Sequence, residues 1–260
     1  MNTLHLITRG DDAGSNSTAN HGINEACTKG ILRNVSFMVP CIAIEEAATL
    51  FANNTNVCAG LHVTLTAEWD QVHWGPVLST QDVPTLVDEN GHFFKNSHIV
   101  KENNPSLDEM LAEIQAQFDK GKNLGFDFKY ADLHMGVGNN IEGFPDRFDT
   151  WCTEHNILNY RHYHQRLPNV QADGDPVDQL IAQLRAVGSG HYAVVGHPAY
   201  DTPEMHELGH DGMSGADIAQ QRDWQRRWFT DPKIFAYCEE NNVVPTRYDE
   251  AERIAPIAPE

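Results

Sequence analysis

The chain is short of positive charge. Eighteen Lys and Arg stand against 37 Asp and Glu in 260 residues, a formal net charge of −19. Counterion release, which drives binding to nucleic acids and anionic membranes, requires cationic side chains. Neither partner is therefore expected. Cysteine is sparse as well. Cys27, Cys41, Cys58, Cys152 and Cys238 form an odd set with no C-x-x-C pair, which fits reduced thiols better than a disulfide framework. No run approaches the roughly 20 apolar residues of a membrane span. The start, MNTLHLITRGDD, has no basic segment leading into an apolar one, so a cytoplasmic protein is the expectation. No G-x-G-x-x-G follows the first apolar run, which leaves a dinucleotide-binding fold without support.

What is present is an ordinary globular mixture, 40% hydrophobic and 21% charged, with enough apolar mass for a real core. The length suits one α/β unit, and we expect residues 1–260 to form a single domain. Strand-like runs begin at Leu4, Val35, Val57, Tyr130, Ile157, His191 and Val243. Helical patterns fill about 18–29, 44–53, 106–125, 146–155, 177–186 and 216–229, and Pro232 opens a closing helix. In 106–125, Leu107, Met110, Leu111, Ile114 and Phe118 share one face, and Ser106 with Glu109 reads as a capping box. Strands alternating with helices mean βαβ units and a parallel sheet. The expected form is a closed or nearly closed modified (β/α) barrel, TIM-like, with about seven parallel strands. Residues 64–105 break this rhythm as a long excursion rich in Trp, His, Asn and Pro, where NGHFF reads as a hairpin turn. Long connections of this kind are usually lids or small excursions.

In parallel β/α folds the chemistry lies at the carboxyl ends of the strands. Four of the seven expected ends deliver Asp or His there: Asp11-Asp12, Gly60-Leu61-His62, Asp132-Leu133-His134 and Gly196-His197-Pro198. Two imidazoles and a carboxylate suit a divalent metal with open positions, and a neighbouring carboxylate can serve as base. A solvated turn is the plain alternative for Asp11-Asp12 before Gly14, and a hydrogen-bonded rim residue for a lone His62 or His134.

The pieces ITRGDDAG, NHGINEACTKGI, NVSFMV, AGLHVTLT, ADLHMG, GHPAYD and RDWQ…VVPTRYDE, in this order and over nearly the whole chain, resemble the YdjC-like carbohydrate deacetylases, a family that includes chitooligosaccharide deacetylases. The resemblance implies removal of an N-acetyl group from an amino sugar or short oligosaccharide with one divalent metal ion; an Asp-His-His set suits zinc and also admits magnesium, manganese or another first-row ion. By motif position Asp12, His62 and His134 are the implied metal ligands, Asp11 the base, and His197 the group near the leaving amine. A homodimer is an expectation from relatives. Alternatives are another metal-dependent hydrolase on the same barrel, acting on a phosphoester or another amide, and a sugar-binding protein without turnover.

The chain departs from the family pattern at Ala13, where Phe is usual, and at Gly136 and Gly138, where further histidines are common. Asp201 also arrives one residue early. Arg161, in RHYHQR, and Trp74, in the excursion, are candidate substrate contacts. Trp69 and His73 share that stretch, where packing is the plainer account. Trp224 and Trp228 read as core or interface, and His206 with His210 as a mobile loop rather than a chelating pair.

Overall fold

A computed structural model describes residues 3–170 and 175–255. The elements run β1 (Leu4–Ala13), α1 (Ser17–Thr28), β2 (Asn34–Phe37), α2 (Ile44–Phe51), β3 (Cys58–Val63), α3 (Ser97–Glu102), α4 (Leu107–Asn123), β4 (Tyr130–Leu133) and α5 (Phe144–Glu154). There follow β5 (Leu158–Asn159), β6 (Gln165–Arg166), α6 (Pro176–Arg185), β7 (Gly190–Gly196), α7 (Pro203–His206), α8 (Gly215–Thr230), α9 (Pro232–Asn241) and β8 (Val243–Thr246). The helices begin where a side chain can take over an orphan N–H. Asn16, Ser106, Asp175, Ser214 and Asp231 each accept one at a helix start. Ser106 caps α4 as expected, but Glu109 does not reciprocate. Its carboxylate accepts from the Thr85 N–H at 2.8 Å and the Thr85 hydroxyl at 2.7 Å, which ties the excursion to the helix. The reciprocal box is formed by Ser214 and Asp217 on α8.

Every strand pair is parallel, and the order is β5-β4-β3-β2-β1-β7-β6, with β8 added on β1. This makes a curled TIM-like half-barrel. The expected modified barrel of about seven parallel strands is borne out, with one short strand, β6, in addition; among the described residues β5 does not pair with β6, so the barrel is open there rather than closed. The additional strand, β6, is two exposed residues, Gln165 and Arg166, without the apolar run that marks the others. β1 lies at the centre. One edge pairs with β7 from Leu4 to Gly10; the other is shared end to end by β8, from Leu4 to Ile7, and β2, from Arg9 onward.

The excursion packs down onto the core rather than standing away from it. Trp69, Trp74, Val83, Leu86, Phe93 and Val100 are all buried in the main hydrophobic cluster. The NGHFF turn forms as a small antiparallel bridge between Val87 and Phe93 with Gly91 at φ +80°. The carboxylate of Glu113, fully buried on α4, accepts the N–H groups of Val77 and Leu78 at 2.8 and 3.0 Å. All five cysteines are buried and free. Among the described residues no helix is long and apolar enough to cross a membrane.

Close packing sets a demand at Gly60 on β3. A Cβ there would stand 2.2–2.5 Å from the Tyr130 ring, which is fully buried and hydrogen-bonded through its hydroxyl to Ser36 at 2.8 Å. Gly60→Ala should therefore destabilise the fold by about 1–3 kcal/mol. Gly188→Ala, where an added Cβ meets nothing within 4 Å, should leave thermal unfolding unchanged. Equal melting temperatures for the two variants would contradict this packing.

Candidate active site

Neighbouring side chains in a regular strand point to opposite faces, so Asp11 and Asp12 should not be able to serve one site. β1 resolves this with a bulge. Gly10 pairs with Val35 and Ala13 with Phe37, so Asp11 and Asp12 stand opposite Ser36 alone. Asp12 takes φ +69°, a left-handed conformation that Asp tolerates better than most residues. Both carboxylates are buried, 4% and 2% exposed.

Two further strands complete the cluster. His62 on β3 is in register with Asp132 on β4, and His134 opens a turn just after β4. Asp12 Oδ1 lies 3.5 Å from His62 Nε2 and 3.4 Å from His134 Nδ1, and those two nitrogens are 3.2 Å apart. Donors held at about 2.0–2.1 Å by a tetrahedral ion lie about 3.3–3.4 Å from one another, so the triangle fits one first-row divalent ion with a position left open. Asp12 Oδ1 is buried without a hydrogen-bond partner, an arrangement costly without a cation. The other oxygen, Oδ2, accepts from Arg222 Nη1 at 2.7 Å.

The charges around the triangle are tightly paired. Arg9 grips Asp11 with two hydrogen bonds, Nε to Oδ1 at 2.7 Å and Nη2 to Oδ2 at 2.8 Å, and the same Nη2 lies 3.2 Å from Asp132. Asp132 in turn sits 2.8 Å from His62 Nδ1, which leaves Nε2 for the triangle and sets the tautomer. Asp11, Asp12 and Asp132 thus face two guanidiniums, an excess of one negative charge that a protonated His62 balances in the absence of a metal ion. Burial alone would raise the Asp11 carboxyl, but Arg9 and His62 hold it below its usual range. Burial opposes Asp12 too, yet Arg222 and His197, together with the neighbouring His134 and His62 rings, hold it well below. Burial disfavours a charged His62, while Asp132, Asp11 and Asp12 outweigh that and raise it to about 10. The cluster attracts a cation.

A second set of possible metal donors, Asp11, His62 and Asp132, is already served by the Arg9 guanidinium. Beside the cluster opens a cleft of about 440 Å³ walled by Arg9, Asp11, Tyr160, His164, His197 and Trp228, among others. His197, just past β7, has its backbone N–H and its Nδ1 at 2.6 and 3.1 Å from Gln225 Oε1. The amide oxygen can only accept, so Nδ1 carries the proton and Nε2 is the ring atom left for a ligand. His164 is a neutral wall residue, pushed down to about 3 by burial and by Arg9 and Arg166.

A model of the YdjC-like protein family matches residues 5–240. The chain belongs to that family. A carbohydrate deacetylase of Thermoanaerobacter pseudethanolicus is 24% identical over 94% of this chain and 98% of its own. One of Geobacillus stearothermophilus is 29% identical over 95% and 97%. Among solved structures, a proposed cellobiose-phosphate cleavage protein from Enterococcus faecalis V583 superposes with a TM-score of 0.80 at 18% identity, covering 95% of this chain and 98% of that one. A family 4 carbohydrate esterase from Streptomyces lividans, in complex with acetate, matches at 0.50 with 9% identity over the whole of both chains. At such identities the two structures speak for the fold alone.

In this YdjC-like chain, Asp11, Asp12, His62, His134 and His197 are thus gathered at one rim. Trp74 and Arg161 are not among the residues lining the cleft. Trp74 is buried with its Nε1–H on the Thr66 carbonyl at 2.6 Å, and its ring centroid lies 6.3 Å from that of His134. Arg161 sits in the turn after β5. Trp228, read from the sequence as core or interface, lines the cleft instead. His206 faces Asp201 at 2.5 Å while His210 stacks on Trp69, so the two do not chelate together. Arg9, Arg222 and Gln225 are site residues absent from the sequence reading, in which Asp132 figures only as part of a strand end. Arg9 and Asp132 carry a readable signal, each two residues before a site residue along a strand. Arg222 and Gln225 arrive from α8, more than 200 residues away from Asp11, with none.

A metal ligand must be a neutral imidazole, whereas His62 without metal is charged below about pH 10. Loading one divalent ion at pH 7 should therefore release about one proton, and affinity should fall roughly tenfold per pH unit as the solution is acidified. Calorimetric titrations in buffers of different ionisation enthalpy read this number, and zero release at pH 7 would contradict the charge state of the cluster.

Proposed function

We propose that this YdjC-like chain is a metal-dependent hydrolase that removes N-acetyl groups from amino sugars or short oligosaccharides, acting as one domain. The observation that carries the reading is the triangle of Asp12, His62 and His134 beside Asp11 at the mouth of a sugar-sized cleft. The curated relatives named carbohydrate deacetylase support it across nearly the full chain. A divalent ion held by Asp12, His62 and His134 would supply Lewis acidity toward an amide carbonyl and toward water.

The remaining work falls to the chain's own side chains. Asp11, kept ionised by the Arg9 fork, accepts the proton of the attacking water. Arg9 uses two of the lone-pair positions on that carboxylate, which leaves others for the incoming proton. His197, held by Gln225 through Nδ1–H, presents Nε2; with a proton on Nε2 as well, the imidazolium gives that proton to the departing amine and returns to the neutral ring. The wall opposite offers Trp228, whose Nε1–H is buried without a partner and suits a sugar hydroxyl. These wall residues replace Trp74 and Arg161 as the proposed substrate contacts. A two-metal phosphoester hydrolase finds less support, because the second acidic set holds Arg9 rather than room for another cation.

Metal-stripped protein restored with zinc, magnesium or manganese in turn should release acetate from one or more N-acetylated sugars. Asp11→Asn should lower kcat by about 10²–10⁴ while ion binding persists and melting confirms a folded protein. Acetate release that survives this substitution would overturn the assignment of the base.

A further inference from the structure

We infer that Glu68 is a positioning residue for His134, holding the ring so that Nδ1 faces the metal triangle. The inference rests on the reading of that triangle given above. His62 is oriented through the nitrogen it does not offer, by Asp132. His134 stands in the reverse sense. Its Nδ1 belongs to the triangle, and its Nε2, buried, has no hydrogen-bond partner. The nearest carboxylate to that nitrogen is Glu68, with Oε2 at 3.5 Å. The two imidazoles are thus backed by one carboxylate each, on opposite ring nitrogens, and a carboxylate behind a ligating imidazole fixes its tautomer and orientation.

The backbone supplies an independent observation. Glu68 has φ +58°, a left-handed conformation that costs any residue but glycine and is uncommon for Glu. Hydrogen bonds hold it there. Ala67 N–H donates to Phe94 O and Glu68 N–H to Lys95 O, both at 2.9 Å. Trp69 is buried beyond, with the Arg222 guanidinium 5.3 Å from its ring centroid. Lys95, whose carbonyl accepts the Glu68 N–H, has its own side chain paired with Asp70. Glu68 is left facing His134, with a side chain only 19% exposed. Strain held in place beside a ligand set is the pattern of a functional constraint.

The test separates orientation from folding. Zinc affinity is measured by chelator competition on the full chain, with melting of the metal-free protein alongside. Glu68→Gly removes the carboxylate and relieves the backbone, so affinity should fall about 10–100-fold while the metal-free melting temperature holds or rises. Glu68→Gln keeps an oxygen acceptor for the Nε2–H and should recover most of that loss. Unchanged affinity in both variants would overturn the role of Glu68 while wild-type binding upholds the triangle. Absence of one-to-one binding by the wild type would overturn the triangle and this role with it.

Discussion

Two adjacent carboxylates have to work in one buried place, and much of the site follows from meeting that demand. Strand geometry separates neighbours, and like charges taken from water repel. The bulge at Asp11 and Asp12 answers the first difficulty by setting two residues against Ser36 alone. Separate cations answer the second: Arg9 takes both oxygens of Asp11, and Arg222 takes one oxygen of Asp12. Asp12 is thereby left with one oxygen committed and one directed at two imidazoles. This asymmetry, imposed by Arg222, makes a pair of identical residues chemically distinct, as the proposed division into ligand and base requires.

The same constraint explains why distant segments converge on one rim. Arg222 comes from α8 and is flanked by Trp69 of the excursion, whose neighbour Asp70 donates its N–H to the Gly209 carbonyl at 2.8 Å. The excursion and the loop before α8 therefore meet above the cluster. The departures from the usual family pattern have local causes too. Gly138 adopts φ +88°, and a Cβ there would meet the Phe144 ring at 2.3 Å, so a histidine has no room without repacking α5. Gly136, at φ +60°, sits in the turn that brings His134 to the triangle. Ala13 is fully buried where β1 rejoins β2 opposite Phe37.

The strand ends that carry Asp12, His62 and His134 are readable from the sequence because parallel β/α folds bring such ends together, and each lies at or just beyond an apolar run; the choice of these three among the Asp and His residues there is implied by the family resemblance. The longer helices are readable from periodicity, and the seven expected ones appear within a few residues of their limits; α3 and α7, six and four residues long, are too short to carry a period. The open side of the barrel is not readable, since β5 and β6 are two residues each and carry no period. Arg9 lies two residues from Asp11, on the same face of the strand by alternation. A guanidinium between carboxylates, however, becomes evident only when Asp132 is seen beside it. Arg222, Gln225 and the cleft face of Trp228 depend on how α8 docks, which amphipathic pattern alone does not specify. Glu68 is obscured because its sequence neighbourhood reads as loop and its significance lies in a backbone angle.

The proposed function stands on a single divalent ion held by Asp12, His62 and His134, with Arg9 occupying the adjoining acidic set. Anomalous diffraction from crystals of the zinc-loaded protein tests it most directly. The account predicts one strong peak, about 2.0–2.2 Å from Asp12 Oδ1, His62 Nε2 and His134 Nδ1, with the Arg9–Asp11 fork intact. A peak between Asp11 and Asp132 with Arg9 displaced, or no peak within the cluster, would contradict it.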